Sequence, residues 1–243
     1  MNSGEFLLRG LWREDEVEVH WMPEIVRSTT PFIEAEIARK WETLVATRQY
    51  VYDGRLCRLI GYTADAGRVT LTAGPTSYRE YHGTHAQREL DDSQRANPLS
   101  VCCVVHTADD KLIVGQRSDV IAESVGLWHV VGGHVEADRH LEDSRLWPFE
   151  AMRDELSEEL GLAPDGIEEM RCMGLTRPED TLKPELMFYA KTRSNASTLR
   201  HDMEHIRIAG IHATASAAHE FASTRLMVAA GRACLRAYAD ILD

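Results

Sequence analysis

The sequence predicts an α/β fold: a mixed sheet held between helices, with an N-terminal α+β part packed onto it. Three observations carry this reading. PLSVCCVVHT at 98–107 is a continuous apolar run, suited to a strand buried on both faces. Further short β-rich runs, KLIVGQRS, GLWHVV, ELMFYAK and IRIAGIH, follow it in order. Between them lies one amphipathic helix ending at Leu160, and an Ala-rich helical C-terminus from about Ser216 closes the chain.

Taken in order, FLLRG and VEVHW alternate as strands. Thr30-Pro31 opens a helix to about Thr47, with Thr as N-cap, Pro at the first position and Glu34 close behind. Ile33, Ile37, Trp41 and Leu44 form its buried stripe. QYVYDGRLCRLIGYT and RVTLTAG read as two strands joined by a turn at Asp65-Ala66-Gly67. GPTSYREYHGTH at 74–85 has no clear apolar period, and composition alone leaves it between a decorated surface turn and a substrate contact. No Gly-, Ser- or Pro-rich linker separates this region from the rest. Residues 1–97 are therefore expected to form a subdomain packed on a domain spanning 98–243, contributing to its pocket.

In GGHVEADRHLEDSRLWPFEAMRDELSEELGL, Phe149, Met152, Leu156 and Leu160 recur at helical spacing. Glu155, Glu158 and Glu159 fall on a neighbouring face, i, i+3 and i+4 from one another. Three carboxylates so placed, with no Lys in the helix, repel each other, and a hard divalent cation such as Mg²⁺ would relieve that repulsion. Gly132-Gly133 upstream allows a close-approaching backbone whose carbonyl can complete a metal shell.

A formal charge of −12 argues against a nucleic-acid backbone as partner. The five cysteines are odd in number and form no Cys-x-x-Cys pair, which fits free thiols in a reducing cytoplasm. His82-x-x-His85 and His201-x-x-x-His205 lack cysteine partners at zinc-finger spacing. No signal peptide and no membrane-length apolar run is read in the chain. The oligomeric state is left open.

The ordered combination of apolar strand, Gly-Gly, acidic helix and Gly161-Leu162 stop resembles the Nudix hydrolase signature. In that signature a Gly and a first Glu precede Arg-Glu-apolar-any-Glu-Glu-any-Gly-apolar. The tail matches as Glu155-Leu156-Ser157-Glu158-Glu159-Leu160-Gly161-Leu162. The head diverges: Asp154 stands in the Arg slot, Leu146 in the first Glu slot, and the loop after Gly133 is seven residues longer than the common pattern. Arg153 points roughly 160° from Glu155 and cannot take the place of the lost Arg.

Further stretches, QYVYDG, TSYREYHGT, NPLSV, TADDKLIVGQRS and IAESVGLWHVVGGHVE, resemble the branch that hydrolyses UDP-glucose and UDP-galactose. The resemblance implies a Nudix-type α/β/α sandwich and Mg²⁺, with Mn²⁺ as the alternative, on Glu155, Glu159 and the backbone at Gly133. It implies substrate contacts at Tyr52, Tyr78, Arg117, Ala122, His134, Glu136 and Ser223. His129 joins this set as a departure, standing where the branch has a carboxylate. Glu155, Glu158 and Glu159 are the catalytic candidates. The general base stays open among Glu158, Glu159, Glu136 and His134. The implied substrate is a nucleotide sugar, cleaved to UMP and a sugar 1-phosphate. ADP-ribose or dinucleotide hydrolysis, and a non-catalytic binding module, remain the alternatives.

Overall fold

Two sheets organise the chain, and strands from both halves of the sequence enter each of them. The computed structural model describes residues 6–48, 51–120 and 124–243. In chain order these give β1 (Phe6–Trp12), β2 (Val17–Trp21), α1 (Pro31–Thr47), β3 (Arg55–Asp65), β4 (Arg68–Ser77) and α2 (Tyr78–Thr84). Then come β5 (Ser100–His106), β6 (Lys111–Arg117), β7 (Trp128–His129), β8 (Val131–His134), α3 (Ala137–His140), β9 (Leu141–Glu142), β10 (Arg145–Leu146) and α4 (Pro148–Leu160). The chain continues with β11 (Ile167–Thr176), β12 (Glu185–Thr192), β13 (His205–His212), α5 (Ala215–Thr224) and α6 (Ala229–Leu242).

Among the described residues the larger sheet runs β1-β11-β12-β5-β6-β13, with β7 paired to β6 and β8 to β5. Its only parallel pairing in that path is β12 with β5, so the sheet is mixed. Alternation along β5 sorts the core into two layers. Val101, Cys103 and Val105 join Phe149, Met152, Leu156 and Leu160 of α4, whereas Cys102 and Val104 join Ala218 of α5 and Cys234, Leu235 and Tyr238 of α6. This is an α/β/α sandwich.

The smaller sheet runs β3-β4-β2-β10-β9, with α1 and α2 beside it. The expected helix at 31–47 is α1: Thr30 accepts from the Ile33 amide, and Ile33, Ile37 and Leu44 are buried. Ala66 and Gly67 both take positive φ (47° and 82°), the backbone a tight two-residue hairpin turn requires.

The structure adds to and corrects this reading in four places. The 167–176 stretch, to which the sequence reading assigns no element, is β11. The strand expected from Gln49 starts only at Arg55, and residues 49–50 lie outside the described set. GPTSYREYHGTH is not a surface turn: Gly74–Ser77 ends β4, and Ser77 with Glu80 forms a reciprocal capping box that starts α2. The lengthened loop is also structured. It folds as α3 and the β9–β10 hairpin, and β10 pairs with β2, Arg145 to His20 and Leu146 to Val19. With β1 in the larger sheet and β10 in the smaller, strands cross the boundary expected at residue 97 in both directions. No helix among the described residues is long and apolar enough to cross a membrane.

Candidate active site

Where β5 and β6 diverge, β7 and β8 fill the gap, and a cavity of about 470 Å³ opens beside them. Gly132 and Gly133 form its floor. They lie in a strand, paired to Cys102 and Val101 of β5. Their need to be glycine is steric. A Cβ on Gly133 would fall 1.9 Å from Glu155 Oε1, and one on Gly132 would fall 2.6 Å from the Val101 carbonyl. The strand and the acidic face of α4 therefore touch without side chains between them.

Glu159 is 3% exposed. Its Oε1 accepts from the Gly132 amide at 3.2 Å, and its Oε2 is buried without a protein hydrogen-bond partner, 3.7 Å from His205 Nε2. Burial first, then the charges of Glu155 and Glu204, hold the Glu159 carboxyl well above the usual carboxylate range. Burial and then Glu158 and Glu204 push Glu155 up to about 8. Glu204 is raised as well, mainly by burial. So much negative charge in so little solvent, with an orphaned carboxylate oxygen at its centre, fits a hard divalent cation. Among the described residues no three His, Cys, Asp or Glu side chains already form a cation cage. A shell on Glu155 and Glu159 would thus be completed by backbone, water or substrate oxygens.

Glu158 is exposed and held from outside the helix. Arg139 of α3 donates to Glu158 Oε1 at 2.6 Å and to Asp154 Oδ2 at 2.7 Å. Asp154, the residue in the Arg slot, is thereby partnered by an arginine from the lengthened segment. Arg153 bonds Glu14 and Glu150, away from the site, as its helical angle required. Leu146 is buried in the core (1% exposed). Glu136 lines the cavity, while Glu142 and Asp143 are exposed on the hairpin.

The other named positions divide. Tyr52, Tyr78, Arg117, His129, His134, Glu136, Glu155 and Glu158 line the cavity together. Tyr52 is 67% exposed and therefore no part of the core. Tyr78 stands edge-on to His134, ring centroids 6.1 Å apart. His129 sits 2.2 Å from where a Cβ on Gly231 of α6 would be, so that helix glycine makes room for it. Burial keeps His129 and His134 neutral, helped by the charges of Arg117 and Lys183. Ala122 lies outside the described residues. Ser223 is a correction: it is exposed on α5, its hydroxyl donates to the His219 carbonyl of its own helix, and it does not line the cavity.

The structure adds Arg139, Lys183, Glu185, Asp202, Glu204 and His205. The sequence held one usable signal, an arginine in the lengthened segment opposite an unexplained Asp154. The others sit in or beside the connections into β12 and β13, which local pattern does not tie to the helix.

No family model matches the chain. It is 25% identical over 207 residues to Nudix hydrolase 9 of Arabidopsis thaliana, covering 70% of this chain and 67% of that protein. It is 31% identical over 140 residues to the uridine diphosphate glucose pyrophosphatase NUDT22 of Mus musculus, covering 51% of this chain and 46% of that one. The chain thus spans about half the length of the mouse relative. Among solved structures, the Nudix domain of Shewanella oneidensis NrtR complexed with ADP ribose aligns over 69% of this chain and 100% of that one, at 14% identity and a TM-score of 0.47. Fold and site together give an α/β/α sandwich with two helix carboxylates closed over a glycine strand. In sequence the chain is similar to Nudix hydrolases.

Proposed function

We propose that this chain hydrolyses the diphosphate of a UDP-sugar, of the UDP-glucose or UDP-galactose type, to UMP and a sugar 1-phosphate. One observation carries the reading. Glu155 and Glu159 close on the Gly132-Gly133 strand beneath a cavity that also holds Arg117, Tyr52 and Tyr78. That cavity combines a seat for a cation, a guanidinium for phosphate oxygens and flat aromatic faces for a base. The similarity to UDP-glucose pyrophosphatases supports the sugar nucleotide.

Glu155 and Glu159, with backbone oxygen at Gly133, would hold Mg²⁺ or Mn²⁺, which supplies charge neutralisation and acidifies water. The chain's own groups do the rest. Arg117 binds phosphate oxygens in both ground and transition states. His134, kept neutral, offers a hydrogen bond without adding charge. A water oxygen bonds to one phosphorus, the bridging P–O bond breaks, and the water proton passes to a carboxylate. Glu136, Glu158 and Glu204 all border the cavity and are candidates for that role. The free, buried cysteines suit a reducing cytoplasm.

The test is a substrate screen with and without Mg²⁺, including UDP-glucose, UDP-galactose, ADP-ribose and dinucleoside polyphosphates. UDP-sugars are expected to be preferred over ADP-ribose by at least about tenfold, roughly 1.4 kcal/mol in transition-state binding. Equal or better turnover of ADP-ribose overturns the substrate and leaves a hydrolase. No turnover of any diphosphate with Mg²⁺ points to a binding module.

A further inference from the structure

The cavity also carries a Lys–Glu pair that the hydrolytic chemistry does not use. Strand register places it. Glu185 of β12 pairs with Ser100 of β5, and Ser100 pairs with His134 of β8. Directly paired residues point to the same face, so these three side chains form one row, about 4.8 Å from strand to strand. Glu185 is 2% exposed and Ser100 is fully buried. Lys183, two residues before β12, brings its Nζ 3.2 Å from Glu185 Oε1 and 5.9 Å from the centre of the Tyr81 ring. Lys183, Glu185 and His134 all line the cavity. Ser100 Oγ and His134 Nε2 are each buried without a protein hydrogen-bond partner.

This row differs in kind from the rest of the site. Lys183 and Glu185 neutralise each other, so the pair is poorly suited to hold a phosphate, which Arg117 can bind elsewhere in the cavity. What the pair presents is a fixed ammonium donor beside a fixed carboxylate acceptor. A hydroxyl both donates and accepts, so two neighbouring hydroxyls can satisfy such a pair in full. His134 lines the cavity in the same row, and the buried Ser100 between it and Glu185 spaces the two strands. Buried polar groups left unmatched are costly, so a ligand that meets them is selected over one that does not.

We propose that Lys183 and Glu185, with His134 beside them, form a polyol subsite that reads a pair of neighbouring hydroxyls on the substrate's hexose or ribose. This inference rests on the UDP-sugar reading. It assigns sugar discrimination to residues outside the acidic helix.

The experiment compares wild type, Lys183→Met and Glu185→Gln on UDP-glucose and on analogues each lacking one hydroxyl, at hexose C2, C3, C4 or C6 or at ribose C2′ or C3′. In the wild type, removing a hydroxyl read by this row should lower kcat/KM by about tenfold. In either variant UDP-glucose itself should fall by about tenfold, chiefly through KM, and the penalty for that same analogue should shrink below about twofold. The analogue that behaves this way distinguishes hexose from ribose. Penalties unchanged in the variants, or no penalty for any analogue in the wild type, overturn the subsite while leaving the enzyme intact. Absence of wild-type turnover on UDP-glucose overturns the functional reading and this one with it. Lys183 keeps 15% of its side chain exposed against 2% for Glu185, so Lys183→Met keeps the comparison available if Glu185→Gln does not fold.

Discussion

Replacing Glu155 by Gln should make the metal-free protein more stable while destroying its activity. The carboxyl of Glu155 is pushed from its ordinary value of 4.5 up to about 8 by burial and by Glu158 and Glu204. A carboxyl raised on folding binds its proton more tightly in the folded state, so stability falls as pH rises. The penalty is absent below pH ~4.5, grows through the neutral range and levels off above pH ~8. At about 1.4 kcal/mol per pH unit, ionising this group at pH 7 costs at most about 3 kcal/mol. Neighbours that share the charge, and the solvent that reaches the cavity, reduce a realistic figure to about 1–2 kcal/mol. For a chain of this size that corresponds to a rise in Tm of roughly 3–6 °C. The assay is thermal unfolding in EDTA at pH 5, 6, 7 and 8. Glu155→Gln should match the wild type at pH 5 and exceed it increasingly towards pH 8. Adding Mg²⁺ should then stabilise the wild type and leave the variant almost unmoved, and kcat should fall on the order of 10³-fold. A variant that melts below the wild type at pH 8 in EDTA would refute the account of crowded, underneutralised carboxylates.

Gly133→Ala puts a methyl where Glu155 Oε1 now lies, so Mg²⁺ titration should weaken and kcat should drop by on the order of 10²-fold, with the far-UV spectrum unchanged. Arg139→Gln releases Glu158 and Asp154 together; activity should fall about tenfold while stability moves by less than about 1 kcal/mol, since the pair is partly exposed. Arg117→Ala should raise KM and lower kcat, whereas Ser223→Ala, whose hydroxyl serves its own helix, should leave both constants unchanged in steady-state assays. Glu136→Gln should impair turnover and Glu142→Gln should not; the reverse result would mean the hairpin folds over the cavity differently.

The sequence was legible where local rules and burial point the same way. Thr30-Pro31 marked the start of α1, and the Phe149, Met152, Leu156, Leu160 stripe marked the buried face of α4. β11 escaped because Glu168, Glu169 and Arg171 interrupt any clean alternation in its first half, and only its second half, Cys172 to Thr176, is buried throughout. At seven residues, α2 is too short to show a period, although its Ser77-x-x-Glu80 capping box was in plain view. In the site, Glu155, Glu158 and Glu159 were readable because one helix carries all three. Lys183 and Glu204 were not, because their place depends on how β12 and β13 register in the sheet. Ser223 was carried over by resemblance, and the geometry of α5 does not bring it to the cavity.

The two-residue ladder between β10 and β2 ties the lengthened segment to the smaller sheet. It makes that segment and the strand Val17–Trp21 a single exchangeable cassette. A chimera that shortened the segment to the usual length would strip β2 of a neighbour and take Leu146 out of the core. It would also withdraw Arg139 from the helix it clamps. Conversely, a graft of the segment alone onto a compact relative would arrive with nowhere to dock. Engineering of this site therefore starts from pairs of distant segments replaced together.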